Sequence, residues 1–182
     1  MDRIGNDRVA ALARAPSSAG GPPRIPLALA LGVTGHRPEQ LDGQAERIAT
    51  RLSELLDAIA AALADIAAVH ASLFAPGAPA IRLVTPLAQG ADQLAACAAI
   101  AKHMPIEAVL PFERAAYEED FAAGQARDRF HALLGKARSV LELPGRREAP
   151  LAAYVMAGRA TIAHCDLLIA IWDGQAPRGR GG

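Results

Sequence analysis

The sequence predicts an α/β domain, a doubly wound sheet of about five parallel strands with helices on both faces. Three observations predict it. From Leu27 onward, apolar runs of four to seven residues alternate with longer stretches of helical periodicity, as in successive βαβ units. The first run is apolar on both faces, as a central strand covered from both sides must be. The runs at Leu27–Val33, Ile81–Thr85 and Asp166–Trp172 end abruptly in loops containing Gly, Pro, Asp or Arg, the punctuation of strand-to-helix crossings.

At the start of the chain, residues 1–24 combine a weakly helical stretch with Pro16, Ser17, Ser18, Gly20, Gly21, Pro22 and Pro23, a composition that resists a packed core and reads as a flexible leader. The domain proper spans 25–182. Leu27–Val33 is the first strand and stops at Thr34-Gly35-His36-Arg37-Pro38. Ile48, Leu52, Leu55, Leu56, Ile59, Leu63 and Ile66 recur at spacings of three and four, one apolar face of a long helix that Gly77 and Pro79 close. Ile81–Thr85 is the second strand; Pro86–Asp92 leads from it into an Ala-rich helix reaching about His103. Ile106–Leu110 is the third strand, followed by Pro111-Phe112 and a polar helix from about Ala115 to Lys136. Val140–Leu143 is a short fourth strand, residues 151–164 a helix, and Asp166–Trp172 the fifth strand, ending at Asp173-Gly174.

Composition sets bounds on this reading. The 182 residues are 52% hydrophobic, 4% aromatic and 21% charged, which fits one globular domain. A chain of this length buries roughly 70% of its unfolded surface and needs no disulfide or structural metal to fold. Its two cysteines, Cys97 and Cys165, do not form a secreted disulfide framework. Nineteen basic residues balance nineteen acidic ones, so broad electrostatic attraction to nucleic acid or to anionic membranes is disfavoured, though a local basic pocket is not. No run reaches the ~18–20 apolar residues of a membrane span, and no signal peptide is evident; a cytoplasmic protein is expected.

Ligands of open parallel sheets bind beyond the carboxyl ends of the strands, where strand order reverses. The loops to read are therefore Thr34–Pro38, Pro86–Asp92, Pro111–Glu113 and Asp173–Gly182. Glycine admits close backbone approach, and helix N-termini present N–H groups to an anion, phosphate above all. In the first loop Thr34 and the Gly35 backbone are candidate donors and Arg37 a candidate phosphate clamp. The competing reading makes Gly35 a turn residue and Arg37 a solvated charge. Gly179, Gly181 and Gly182, interleaved with Arg178 and Arg180 after a buried strand, read as a phosphate loop or, alternatively, as a frayed glycine-rich tail. Asp173 is placed to accept a ribose hydroxyl; Glu118, Glu119 and Asp120 read as the solvated face of a polar helix, with a pocket rim as the alternative place for Tyr117 and Asp120.

Other chemistry drops out. Gly135-Lys136 is no nucleotide P-loop, because Phe130 and Ala137 occupy its diagnostic positions. The spaced glycine triplet of dinucleotide binders and the Gly-x-Ser-x-Gly elbow are absent. His36, His70, His103, His131 and His164 lack metal-ligand spacing, so no metal site is expected. His164-Cys165-Asp166, at a helix-to-strand junction where adjacent side chains diverge, reads as structural.

Taken together, Gly32-Val33-Thr34-Gly35-His36-Arg37-Pro38, Leu87-Ala88-Gln89-Gly90-Ala91-Asp92, Val109-Leu110-Pro111-Phe112 and Asp166–Gly174, with Gly181-Gly182 beyond, resemble the SLOG superfamily over residues 27–182. This Rossmann-like group includes the DNA-processing protein A fold and the LOG (lysine decarboxylase-like) phosphoribohydrolases. The resemblance implies a nucleotide-type ligand over the strand ends. It maps Gly35, His36 and Arg37 onto the first glycine-rich turn, Gly90 and Asp92 onto the segment after the second strand, and Gly181 and Gly182 onto the start of a second phosphate loop. LOG enzymes carry Pro-Gly-Gly-x-Gly-Thr-x-x-Glu with a catalytic glutamate. Here Arg180 precedes Gly181-Gly182, and the sequence holds neither that threonine nor that glutamate, so no catalytic residue is carried over.

The function expected from sequence is binding of a nucleotide or nucleotide-derived ligand, as a sensor or accessory protein, at Thr34, Gly35, His36, Arg37, Gly90, Asp92, Asp173, Gly179, Gly181 and Gly182, with no other cofactor. The alternatives are a LOG-like nucleoside 5′-monophosphate phosphoribohydrolase and single-stranded nucleic-acid binding. Homo-oligomerisation through Ala-rich helix faces is a further expectation. So is a final helix beyond Gly182, since a parallel sheet with a phosphate loop at Gly179 ordinarily continues into one.

Overall fold

The computed structural model describes residues 23–41 and 43–175. The run Leu27–Val33 predicts a central strand because neither face is polar, and β1 (Ala28–Gly35) is central: Leu31 pairs with Leu83 on one side and Leu167 on the other. The chain continues through α1 (Ala45–Val69), β2 (Ala80–Thr85), α2 (Ala91–Ala101), β3 (Ile106–Leu110), α3 (Arg114–Tyr117), α4 (Gln125–Leu134), β4 (Ala137–Glu142), α5 (Pro150–Ala163) and β5 (Leu167–Ile171). Among the described residues the five strands form one wholly parallel sheet in the order β4-β3-β2-β1-β5. The chain winds outward from β1 to β4 and then returns to the far side of β1. Strand order therefore reverses between β1 and β5, which makes the carboxyl end of β1 the crevice of the sheet.

The two faces are built differently. Leu31, Val33, Leu83, Ile106 and Leu110 pack with Leu52 and Leu56 of α1, Ala95 and Ala99 of α2, and Phe130 of α4 in the main core. On the opposite face Ala30, Val84 and Val109 meet Ala160 of α5 and Cys165 in a smaller cluster. The small side chains there let α5 lie close to the sheet. β5 is an edge strand whose Leu167 and Leu168 are exposed, as is Trp172 just after it.

Two boundaries correct the sequence reading. The helix predicted over 115–136 is broken: α3 passes into a 3₁₀ turn at Glu118–Asp120, Phe121 is extended, Gly124 has φ +88°, and α4 starts only at Gln125. The reason is aromatic packing. At ~100° per residue, a continuous helix would point Phe130 about half a turn away from Phe121. Breaking the helix brings these buried rings into a stack at 4.3 Å, with Tyr117 edge-on to both at 5.2 and 5.4 Å. β4 begins three residues before the predicted 140–143, because Ala137 pairs with Ile106 and the Arg138 guanidinium is tied to Glu107. Half of this edge strand is polar, so an apolar pattern cannot mark its start.

Asp166 shows what the His164-Cys165-Asp166 triplet does. Its Oδ2 accepts the Ala30 N–H at 2.8 Å, and its own N–H donates to Ala30 O at 2.8 Å. That closes the α5-to-β5 junction onto the central strand. Among the described residues no helix is long and apolar enough to cross a membrane. Asp166→Ala removes the charged acceptor and should lower unfolding free energy by about 1–2 kcal/mol, read as a reduced urea midpoint at unchanged slope.

Candidate functional site

The crevice at the end of β1 is built from backbone outward. Gly35 ends β1 where no side chain fits: a Cβ there would stand 2.6 Å from Ile171 O and 2.7 Å from Ala91 Cβ. His36 then donates its N–H to Ile171 O at 3.3 Å and accepts the Ala91 N–H on its own carbonyl at 3.0 Å. Gly90, with φ +98°, caps α2 directly beneath that turn, where a Cβ would lie 2.4 Å from His36 O. The loops after β1, β2 and β5 are thus fastened to one another.

Between them and α5 lies a cleft of about 140 Å³, lined on the loop side by Thr34, Gly35, Arg37, Gln89, Asp92 and Tyr117, and on the α5 side by Tyr154, Ala157, Gly158, Thr161 and Ile162. Five of the predicted positions fall at or beside it: Thr34, Gly35, Arg37 and Asp92 line it, and Gly90 sets the loop behind. His36 is turned away. Its Nε2 lies 3.2 Å from both the backbone N–H and Oδ1 of Asp173, so the neutral ring accepts the N–H and a protonated ring pairs with the carboxylate. Asp173 also accepts the Gln175 N–H at 2.9 Å and is not among the residues that line this cleft, where the sequence reading aims it. Gly179, Gly181 and Gly182 lie outside the described residues, as does nearly all of the 1–24 leader.

The electrostatics centre on Asp92 and Arg37. Asp92, 7% exposed, sits in the first turn of α2 and accepts the Ala88 N–H on Oδ2 at 3.2 Å. Burial pushes its carboxyl up to about 7, opposed by that hydrogen bond and by the Arg37 charge. Among the described residues the Arg37 guanidinium makes no hydrogen bond or ion pair; it lies 6.0 Å from the centre of the Tyr154 ring. Burial also raises the Tyr117 hydroxyl, seconded by the Asp92 charge.

The far wall is held from behind. Asp120 accepts hydrogen bonds from the Tyr154 hydroxyl at 2.7 Å and from Arg147 at 2.5 Å, and Arg147 lies over the Phe112 ring at 4.9 Å. Burial, and then its bond to Asp120, raises Tyr154 as an acid. The loop after β2 is strained in support of the site: Leu87, buried, has φ +59°. It is held there by its N–H donating to Thr85 Oγ1 at 3.1 Å and by Gln93 Nε2 donating to its carbonyl at 3.3 Å.

Sequence reasoning places Tyr117 and Asp120 at most at a rim, whereas Tyr117 lines the cleft and Asp120 braces Tyr154. It misses the α5 wall altogether. A signal exists, because Tyr154, Ala157, Gly158 and Thr161 fall at i, i+3, i+4 and i+7 on one helix face. Among the described residues no group of three or more His, Cys, Asp or Glu could hold a metal. Neither a scan against protein-family models nor a search of curated proteins finds a match for this chain.

The raised Asp92 fixes a pH dependence. A carboxyl higher in the folded than in the unfolded state stabilises fully below the unfolded value of 3.8 and loses that contribution as pH rises to about 7. At about 1.4 kcal/mol per pH unit the loss is bounded by roughly 4 kcal/mol. Asp92→Asn keeps an acceptor for Ala88 without the charge. Its stability relative to wild type should be near parity at about pH 4 and higher by about 2–4 kcal/mol above about pH 7.5, measured by urea unfolding across that range. A constant difference would contradict the assignment.

Proposed function

We propose that this protein binds a nucleotide or nucleotide-derived ligand in the cleft beyond β1, with Arg37 pairing to its phosphate. The observation that carries the reading is Arg37 itself: a guanidinium lining the switch-point cleft with no hydrogen bond or ion pair among the described residues, beside the N-terminus of α2. The other half-buried arginines are held, Arg82 by Glu107, Arg127 by Phe121 O and Arg147 by Asp120. An arginine left with only an aromatic face suits a planar oxyanion that brings two acceptors at once. The resemblance of the strand-end loops to the SLOG superfamily points the same way, toward a role as sensor or accessory protein.

A second reading, hydrolysis of the N-glycosidic bond of a nucleoside 5′-monophosphate, is favoured by one observation. Asp92 is a buried carboxyl beside the same arginine, able to hold a proton or a charge near neutral pH. Release of free base from nucleoside monophosphates distinguishes turnover from binding.

Two substitutions test the site. Arg37→Ala should weaken binding of nucleoside monophosphates by roughly ten- to a hundredfold in calorimetric titration, the range of a lost charge-assisted pair. Gly158 lies mid-helix with open space where its Cβ would be. Gly158→Leu should fill the cleft and abolish binding while leaving the melting temperature unchanged or higher, since glycine costs a helix about 1 kcal/mol. Undiminished binding in both variants would place the ligand elsewhere.

A further inference from the structure

Resting on that reading, the chemistry of the two walls narrows what part of a nucleotide the cleft holds. The loop wall carries groups in want of partners. Tyr117 is 1% exposed, yet its hydroxyl has no hydrogen bond among the described residues, and the residue lines the cleft. The Tyr117 hydroxyl is not among the fully buried polar atoms that lack a partner, so it is open to whatever occupies the cleft. Asp92 spends one oxygen on Ala88, and its other oxygen has no hydrogen-bond partner among the described residues. Arg37 stands beside both. The wall therefore offers one permanent cation, the Tyr117 hydroxyl and one carboxyl oxygen, with the Thr34 hydroxyl and the Gln89 amide beside them.

The α5 wall is the opposite. Its hydroxyl protons are already committed, Tyr154 donating to Asp120 and Thr161 Oγ1 to Ala157 O at 3.0 Å, which leaves these oxygens as acceptors only. What α5 and β5 present is methyl and methylene surface, from Ala157 inside to Ile162 and Leu168, both exposed. No side chain there has a free donor for the acceptors on the edge of a base. The size agrees: about 140 Å³ is less than half the ~300 Å³ at which pockets for drug-sized ligands begin.

We infer that the cleft recognises the sugar–phosphate end of its ligand, Arg37 taking the phosphate while Asp92 and the Tyr117 hydroxyl engage the sugar hydroxyls, and that any base lies outside on the apolar Ile162–Leu168 surface without being discriminated. Asp92 accepts from a ligand hydroxyl when ionised and donates to an oxygen when protonated. The charged and titratable groups around it among the described residues, namely Arg37, Tyr117 and, across the cleft, Tyr154 with Asp120, supply one cation and no competing base in direct contact with it.

The test is competition titration of the full chain with ribose 5-phosphate, AMP, GMP, CMP, adenosine and inorganic phosphate. Ribose 5-phosphate is expected to bind within about tenfold of AMP. The three nucleotides should agree within about threefold, and adenosine and inorganic phosphate should each be weaker by at least about thirtyfold. Tyr117→Phe should weaken ribose 5-phosphate and AMP equally, by roughly three- to thirtyfold, with no fall in the urea midpoint, since the hydroxyl it removes has no partner among the described residues. AMP binding without ribose 5-phosphate binding, or a base preference beyond about tenfold, would overturn this inference and leave nucleotide binding standing. Inorganic phosphate matching ribose 5-phosphate, or Tyr117→Phe binding as wild type, would overturn the sugar assignment. Failure of every phosphorylated ligand would remove the proposed function itself.

Discussion

Everything near the cleft depends on how closely backbone approaches backbone at the end of β1. His36 is the joint: its N–H is held by β5 through Ile171, and its carbonyl is held by the first N–H of α2. Both bonds require Gly35 and Gly90 to lack side chains, because a Cβ at either would overlap backbone or Ala91 at 2.4–2.7 Å. A parallel sheet by itself leaves its strand-end loops independent. Here two hydrogen bonds and two absent side chains turn three loops into one rigid rim, and Arg37 leaves that rim one residue after the joint.

The opposite wall is fixed by a different device. Asp120, in the turn that interrupts the predicted helix, ties Tyr154 of α5 to Arg147 of the β4–α5 connection. The aromatic stack that breaks the helix and the ion pair that anchors α5 are consequences of one chain reversal. Tyr117 belongs to both core and cleft, its ring edge-on to Phe121 and Phe130 and its residue lining the cavity. A shift in the core would move the cleft floor directly.

The strands are legible in the sequence because their signal is local: an apolar run closed by a turn. β1, β2, β3 and β5 fall within a residue or two of where the pattern puts them, while β4 does not, since half of it is polar and only pairing with β3 defines it. The cleft is half legible. Thr34, Gly35, Arg37 and Asp92 are found by reading the residues just after each strand. The α5 wall is not found that way, because it comes from the helix that crosses the other face and approaches the strand ends from the side. Asp173 shows a related point: position after a strand fixes where a residue is, whereas its partners, His36 and the Gln175 N–H among them, decide where its carboxylate points.

The cleft gathers features that work against stability. Leu87 sits in a left-handed conformation costing about 1–2 kcal/mol, Asp92 is raised to about 7 by burial, and the Tyr117 hydroxyl has no partner among the described residues. These costs are only partly offset: the Ala88 N–H and the Arg37 charge ease Asp92, and Thr85 and Gln93 hold Leu87 in place. All three lie within the loop from Thr85 to Asp92 and the α3 residue facing it, around the Arg37 guanidinium; other costly features, the left-handed His103 and the unpartnered buried Nε atoms of Arg82 and Arg127, lie elsewhere. In the function proposed above, a ligand carrying an anion and neighbouring hydroxyls would supply partners to the polar groups of the cleft together, and its binding energy would be drawn partly from costs the folded protein already bears, so that a small cleft could hold it without a large buried area.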